Sequence, residues 1–261
     1  MSEVVAPESV DPPVTLHIGF LLMPEYTLST FANAIGILRL ANRLTDRALY
    51  RWSIYSVDGE AVVSSAGLEM KVDGRLDPEQ SMHILMVCGG YRIKDHCNKH
   101  VSDALRRLAK NKIALGALCT GSYVLAAAGL LNGYRCTIHW ENLASMREEF
   151  PSLQICSSLF VIDRDRYTCS GGISSIDLML NLVASIHGHQ LVQQISDQFT
   201  CDRVRTEKDA QRAPLQYLIG ASQPRLVDAV SLMESNIEEP LTLDEVADYV
   251  GISRRQLERL F

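Results

Sequence analysis

The 261-residue sequence has no CxxC pair among its seven cysteines, no apolar run both long enough and free enough of charge to span a bilayer, and no excess of positive charge. Odd in number and scattered, the cysteines argue for reduced thiols in a cytoplasm rather than a disulfide framework. Lacking a spanning run, the chain is not expected in a membrane. A formal net charge of −6 offers nucleic acid no global attraction, so any DNA binding must come from a local basic surface. Neither GxGxxG nor GxxxxGK(S/T) occurs, which leaves the lone Gly-Gly pairs as weak signals for phosphate or dinucleotide. No internal repeat or low-complexity tract is evident. The opening MSEVVAPESVDPPV is acidic and proline-rich, without a basic start or an apolar core, and residues 1–14 read as a disordered arm rather than a signal peptide.

What is present is an ordinary soluble composition, 47% hydrophobic, in a chain long enough for one large domain and a smaller one. Short apolar runs of strand length, LHIGFLLM from Leu16, RWSIYSV from Arg51, MHILMVCG from Met82 and KIALGAL from Lys112, alternate with amphipathic stretches STFANAIGILRLANRL, KHVSDALRRLAKN and TGSYVLAAAGLL. That order predicts an α/β fold, a doubly wound, mostly parallel sheet covered by helices on both faces. LFVIDRDRYTCSGG reads as two strands joined at Asp163 to Asp165, followed by a helix ending at Gly188 and a further helix from Gln190 to about Val204. The large domain is placed at 15–205 and a polar linker with proline and glycine breakers at 206–223.

From 224 to 261 the pattern is helix, helix, tight turn, helix. Thr242 with Glu245 three residues on is a capping-box pattern, and Ser253 is placed to cap the last helix. Val246, Ala247 and Val250, then Gly251, Ile252 and Ser253, then Leu257, form a helix-turn-helix signature. In SRRQLERLF the expected helix turns Leu257 and Phe261 inward and presents Arg255, Glu258 and Arg259 outward.

These residues carry a resemblance. IEEPLTLDEVADYVGISRRQLERLF is similar to the first helix-turn-helix of AraC/XylS-family transcription regulators. The preceding region, through GALCTGSYVLAAAGLLNG, TIHWENL and TCSGGISSIDLML, resembles the class I amidotransferase-like, ThiJ/PfpI-type domain of an AraC subgroup that controls arginine, betaine and carnitine catabolism in bacteria. The resemblance implies a flavodoxin-like, amidotransferase-like domain that senses a small metabolite and dimerises, in a cytoplasmic regulator that acts as an activator. A second helix-turn-helix follows in that family, whereas this chain stops at Phe261. It therefore resembles a truncated chain, expected to bind operator DNA poorly by itself. Ser253, Arg254, Arg255, Glu258 and Arg259 match the recognition helix, with Arg255 and Arg259 toward guanine edges and Arg254 toward phosphate.

Cys119, between an apolar strand and an alanine-rich helix, stands where a strand-to-helix turn would hold a nucleophile. A cysteine nucleophile needs thiolate character, a base and oxyanion donors. A helix beginning at Thr120 would supply the first by lowering the thiol's pKa. The histidine that directly follows the cysteine in PfpI-like hydrolases is Thr120 here, and the place of the usual acid falls on Thr30. Three readings stay open for Cys119: an elbow lining an effector pocket, a buried structural thiol, or a catalyst in a PfpI-like hydrolase or glyoxalase-type enzyme. The first is adopted, with no catalytic residue, cofactor or metal. Effector contacts are expected from Cys119, Thr120, Gly90, His139, Trp140 and Glu141 at the C-terminal edge of the sheet, with backbone N–H groups at Gly90 and at Cys119–Thr120 meeting a carboxylate and Trp140 or Glu141 meeting a cation. The effector candidates implied are arginine, glycine betaine and carnitine, and the other partners are operator DNA and a second copy of the chain. In DHCNKH, His96 and His100 have a spacing that serves zinc on a helix, but no further ligands accompany them and a solvated helix face is the reading. Asp177 is expected to cap or pair inside the domain.

Overall fold

The computed structural model describes residues 15–201, 203–211, 223–237, 239 and 241–261; the N-terminal arm and positions 212–222 of the expected linker lie outside them. The chain runs β1 (Leu16–Leu22), α1 (Leu28–Thr45) and β2 (Tyr50–Ser56), then a small hairpin, β3 (Val62–Val63) with β4 (Glu69–Met70), and β5 (Gly74–Arg75). Next come β6 (Ile84–Cys88), α2 (Ile93–His96), α3 (Lys99–Lys110), β7 (Ala114–Leu118) and α4 (Gly121–Ala127). β8 (Arg135–Cys136), α5 (Trp140–Glu149), β9 (Gln154–Ile155), β10 (Phe160–Asp163), β11 (Arg166–Cys169), α6 (Ser174–His187) and α7 (His189–Gln198) complete the α/β part.

Seven strands form one sheet in the order β10-β11-β7-β6-β1-β2-β5, parallel throughout except for β10 against β11. The expected doubly wound, mostly parallel sheet is thus present. Strands buried on both faces need apolar residues at every position, and β1 divides its side chains accordingly. Ile18, Phe20 and Leu22 pack into the core with α1, α6 and α7, whereas Leu21 and Met23 pack into the opposite core with α3, α4 and α5. β6 alternates in the same way, Met86 and Cys88 against Leu85 and Val87. The two-residue strands β3, β4, β8 and β9 give no periodic signal in the sequence.

One expected boundary is corrected. The helix from Gln190 does not reach Val204, because α7 ends at Gln198. Thr200 turns left-handed at φ +51°, and the N–H of Cys201 returns to the carbonyl of Ser196 at 3.0 Å, which closes the helix end. The chain beyond is held by the buried carboxylate of Asp177, which accepts from the Arg205 backbone N–H at 2.9 Å and from its guanidinium at 2.6 and 3.0 Å.

The C-terminal unit comprises α8 (Pro224–Ser235), α9 (Leu243–Tyr249) and α10 (Arg254–Glu258). Both anticipated caps form as full capping boxes, Thr242 with Glu245 and Ser253 with Gln256. Gly251 takes φ +68°, and the Ile252 N–H reaches back to the Ala247 carbonyl at 3.0 Å, which makes the tight turn. Ala229, Val246, Ala247 and Leu257 form a small core. Phe261 does not join it: α10 ends at Glu258, and Phe261 is 68% exposed while Leu257 is 0% exposed. The inward pair expected from helical spacing is reduced to Leu257, because the turn of helix that would bring Phe261 round is not made.

With so few buried side chains, this unit depends on each of them. Leu257→Ala is expected to remove about 2–5 kcal/mol, comparable to the whole stability of a unit this size at about 0.05–0.15 kcal/mol per residue. Limited proteolysis should then cut within 224–261 while the α/β part keeps its melting temperature.

Candidate functional site

The turn from β7 into α4 places Cys119 at the C-terminal edge of the sheet. Its backbone is left-handed, φ +59°, a conformation that strains a non-glycine residue by on the order of 1–3 kcal/mol. Close backbone approaches hold it there. A Cβ on Gly171 would stand 2.8 Å from the Cys119 sulfur, one on Gly121 would stand 2.1 Å from the Val87 carbonyl, and one on Gly90 would overlap the Glu25 carbonyl at 1.8 Å. The Thr120 hydroxyl donates to the Gly90 carbonyl at 2.7 Å, fastening the elbow to the loop after β6.

The Cys119 thiol is 6% exposed, and burial raises its pKa above the ordinary value; the Thr27 hydroxyl and the Thr120 N–H, which favour the thiolate, offset this only in part. The lowered pKa expected of a helix start is therefore not found. α4 has seven residues, begins at Gly121 rather than Thr120, and desolvation outweighs it. The hydroxyl facing the thiol is that of Thr27, at 3.5 Å, not of Thr30, which lies one turn further into α1 and accepts from the Gly172 N–H at 3.1 Å.

A cleft of about 540 Å³ opens over the elbow. Gly90, Cys119, Thr120, His139 and Glu141 line it, so five of the six residues singled out from the sequence converge. Trp140 does not line it. Its ring packs against the core under α5 and lies 5.3 Å from the His139 ring, because it begins the helix facing inward. His139 precedes α5 with its Nδ1 3.6 Å from Glu141, and burial lowers its pKa, favouring the neutral ring. Among the described residues His139 makes no hydrogen bond to Cys119.

Sequence reasoning missed the lip of the cleft: Ser65 from the β3–β4 hairpin, and Tyr91, Arg92, Lys94 and Asp95 from the loop into α2. Arg92 and Glu25, both left-handed, pair through two 2.8 Å hydrogen bonds, and the guanidinium holds the Glu25 carboxyl below its usual range. Lys94 bonds Glu149 at 2.6 Å, and Glu149 also accepts from the Tyr123 hydroxyl. Adjacency to Gly90 could have pointed to Tyr91, Arg92, Lys94 and Asp95, and nothing local to Ser65. The cleft carries both charges on its rim, and the thiol on its floor faces a threonine hydroxyl. His96 and His100 do not share a helix, since α2 stops at His96; one faces Glu25 and the other Arg75. Among the described residues no cluster of three or more metal-binding side chains occurs, and no helix is long and apolar enough to cross a membrane.

In the C-terminal unit Ser253, Arg254, Arg255, Glu258 and Arg259 are all exposed. Arg254 pairs with Glu258 at 3.0 Å and with Asp244 at 3.2 Å, whereas Arg255 and Arg259 face no carboxylate among the described residues.

Because the thiolate is the nucleophile, alkylation of Cys119 by iodoacetamide should at pH 7.5 be slower than that of free cysteine and rise with pH beyond the ordinary thiol value of 9.0. Thr27→Val, which removes a hydrogen bond to the thiolate, should slow it further. Mass spectrometry of the Cys119 peptide gives both rates.

The DJ-1/PfpI family model matches residues 28–185. HTH-type transcriptional regulator GbdR of Pseudomonas aeruginosa is 47% identical over 244 residues, covering 94% of this chain and 66% of GbdR, so the chain spans just under two thirds of that relative's length. HTH-type transcriptional regulator CdhR of the same species is 42% identical over 242 residues, covering 93% of this chain and 72% of CdhR. The crystal structure of an AraC family transcriptional regulator from Pseudomonas putida superposes with a TM-score of 0.65 at 30% identity, over 70% of this chain and 99% of that one. The chain thus belongs to the DJ-1/PfpI family and, within it, to the AraC-type regulators that join such a domain to a helix-turn-helix unit.

Proposed function

We propose that the chain is the sensing part, with a first DNA-reading unit, of a sequence-specific transcription regulator, and that its elbow cleft binds a small-molecule effector without turnover. The observation that carries this reading is the state of Cys119: a thiol kept protonated by burial, faced by a threonine hydroxyl where an enzyme needs a base. Strain at the elbow is retained while the partners that would make it a catalyst are replaced. Gly90, Thr120, His139 and Glu141 then serve as lining for a ligand, with Arg92 and Lys94 added at the rim. The relatives being named transcriptional regulators supports the same reading. An activator acting as a homodimer in the cytoplasm fits it, the dimer forming through the α/β part, since two-fold symmetric proteins match paired half-sites.

A thermal-shift screen of arginine, glycine betaine, dimethylglycine and carnitine tests the effector site. A ligand at 100 times its Kd should stabilise the protein by about 2.7 kcal/mol, and His139→Ala should reduce the shift. Unchanged affinity in that variant would move the site elsewhere. Cys119-dependent hydrolysis of glutamine, a peptide or methylglyoxal at an ordinary enzyme rate would refute the non-catalytic reading.

For DNA, the pairing state of the arginines divides their roles. Arg255 and Arg259, unpaired by carboxylates among the described residues, are assigned to base edges, where a bidentate contact contributes about 1–3 kcal/mol of discrimination. Arg254 exchanges its exposed ion pairs, which hold it weakly, for phosphate. On operator DNA selected from a random pool by the full-length regulator, Arg255→Ala or Arg259→Ala should relax preference at one base position. Arg254→Ala should weaken all sequences evenly and lower the salt slope by about one.

A further inference from the structure

The chain leaving the α/β part is fastened beside β10 and α6. Residues 203–211 lie as a strap along β10. Beyond the Asp177–Arg205 anchor, the Glu207 carboxylate accepts from the Ile162 N–H at 2.8 Å and from Arg135 at 3.0 Å. The Asp209 carbonyl accepts from the Leu159 N–H at 3.0 Å, and the Gln211 N–H donates to the Ser157 carbonyl at 2.8 Å.

The strap ends in a buried amide. Gln211 is 8% exposed, and its Nε2 lies 3.0 Å from Thr137 Oγ1, 2.9 Å from the Ile138 carbonyl and 3.1 Å from the Ser158 carbonyl. Three acceptors surround two N–H bonds, while the Gln211 Oε1 is buried with no partner among the described residues. An amide secured on one side and orphaned on the other gains less from its seat than a fully bonded one. Ile138 directly precedes His139, which lines the cleft and whose carbonyl accepts the Asn142 N–H at 2.9 Å in the first turn of α5. From cleft to strap the path is therefore His139, Ile138, Gln211.

We propose that Gln211 is the joint through which the state of the cleft reaches the segment leading to the helix-turn-helix unit. This rests on the reading of the cleft as an effector site and concerns how its occupancy is transmitted. A ligand that shifts His139 and the start of α5 moves the Ile138 carbonyl and Thr137, changes the seat of the Gln211 amide, and tightens or frees the strap. The coupling is reciprocal, because a binding free energy shared by two sites acts equally in both directions. Asp177, Glu207 and Asp209 hold the strap to β10 and α6 and take no part in the transmission, since none of them touches residues 137–142.

Hydrogen exchange of the full 261-residue chain, without ligand, tests the joint. Gln211→Leu keeps the bulk of the side chain and removes its donors. It should raise exchange by about tenfold or more both at the strap-dependent amides of Leu159 and position 211 and at 137–142. Glu207→Gln, which weakens the strap away from residues 137–142, should raise exchange at 159–162 and leave 137–142 unchanged. Thr137→Val approaches from the cleft side and should free the strap amides. If Gln211→Leu frees the strap but leaves 137–142 as in the parent, or accelerates β1 and β6 by the same factor as 137–142 while Thr137→Val leaves the strap unmoved, the joint is refuted. Those outcomes leave the effector reading intact, because no ligand enters the measurement; a barren ligand screen beside intact coupling would remove the effector reading alone.

Discussion

The left-handed turn at Cys119 is the constraint around which the α/β part is arranged. A non-glycine residue is held there only where its surroundings over-determine it, and here they do so through backbone approaching backbone. Gly121 admits the Val87 carbonyl, Gly90 admits that of Glu25, and Gly171 leaves room for the sulfur itself. These contacts bring the ends of β1, β6, β7 and β11 to one place and fix the floor of the cleft. The Thr120 hydroxyl on the Gly90 carbonyl completes the fastening.

The same close packing holds the thiol at the elbow above its ordinary pKa. Burial raises the pKa of Cys88, Cys119 and Cys169, which lie close together at neighbouring strand ends, with Cys169 and Cys119 adding to the shift of Cys88 and Cys119 adding to that of Cys169. The lip of the cleft carries charge of both signs, from Arg92, Lys94 and Asp95, and the Arg92 guanidinium is paired with Glu25 just outside it.

The C-terminal unit is built on a different balance. Its core is four buried side chains, so local backbone satisfaction matters more than burial. Two reciprocal capping boxes bond the otherwise orphaned N–H groups at the starts of α9 and α10, and Gly251 supplies the positive φ between them. The exposed face of α10 is thereby left to charge, with Arg254 engaged in ion pairs and Arg255 and Arg259 in none among the described residues.

Much of this was legible in the sequence, because it rests on local rules. Alternating apolar runs and amphipathic stretches determined the parallel sheet and its helices, and Thr242–Glu245, Gly251 and Ser253 determined the helix-turn-helix. Cys119, Gly90 and His139 could be named as candidates because a strand-to-helix turn has a recognisable composition. Tertiary structure decided what depends on distance through space. It turned Trp140 into the core while leaving His139 and Glu141 on the cleft, and gave the thiol Thr27 rather than Thr30. It reversed the expected pKa shift of Cys119, since desolvation is a property of everything packed around a group and not of the helix it precedes. The seat of Gln211 had no signal in the sequence, and most of the cleft's lip had none beyond its adjacency to Gly90: Ser65 and Arg92 line one cleft from separate segments, Gln211 bonds Ile138 from another, and no periodicity records a contact made 73 residues apart.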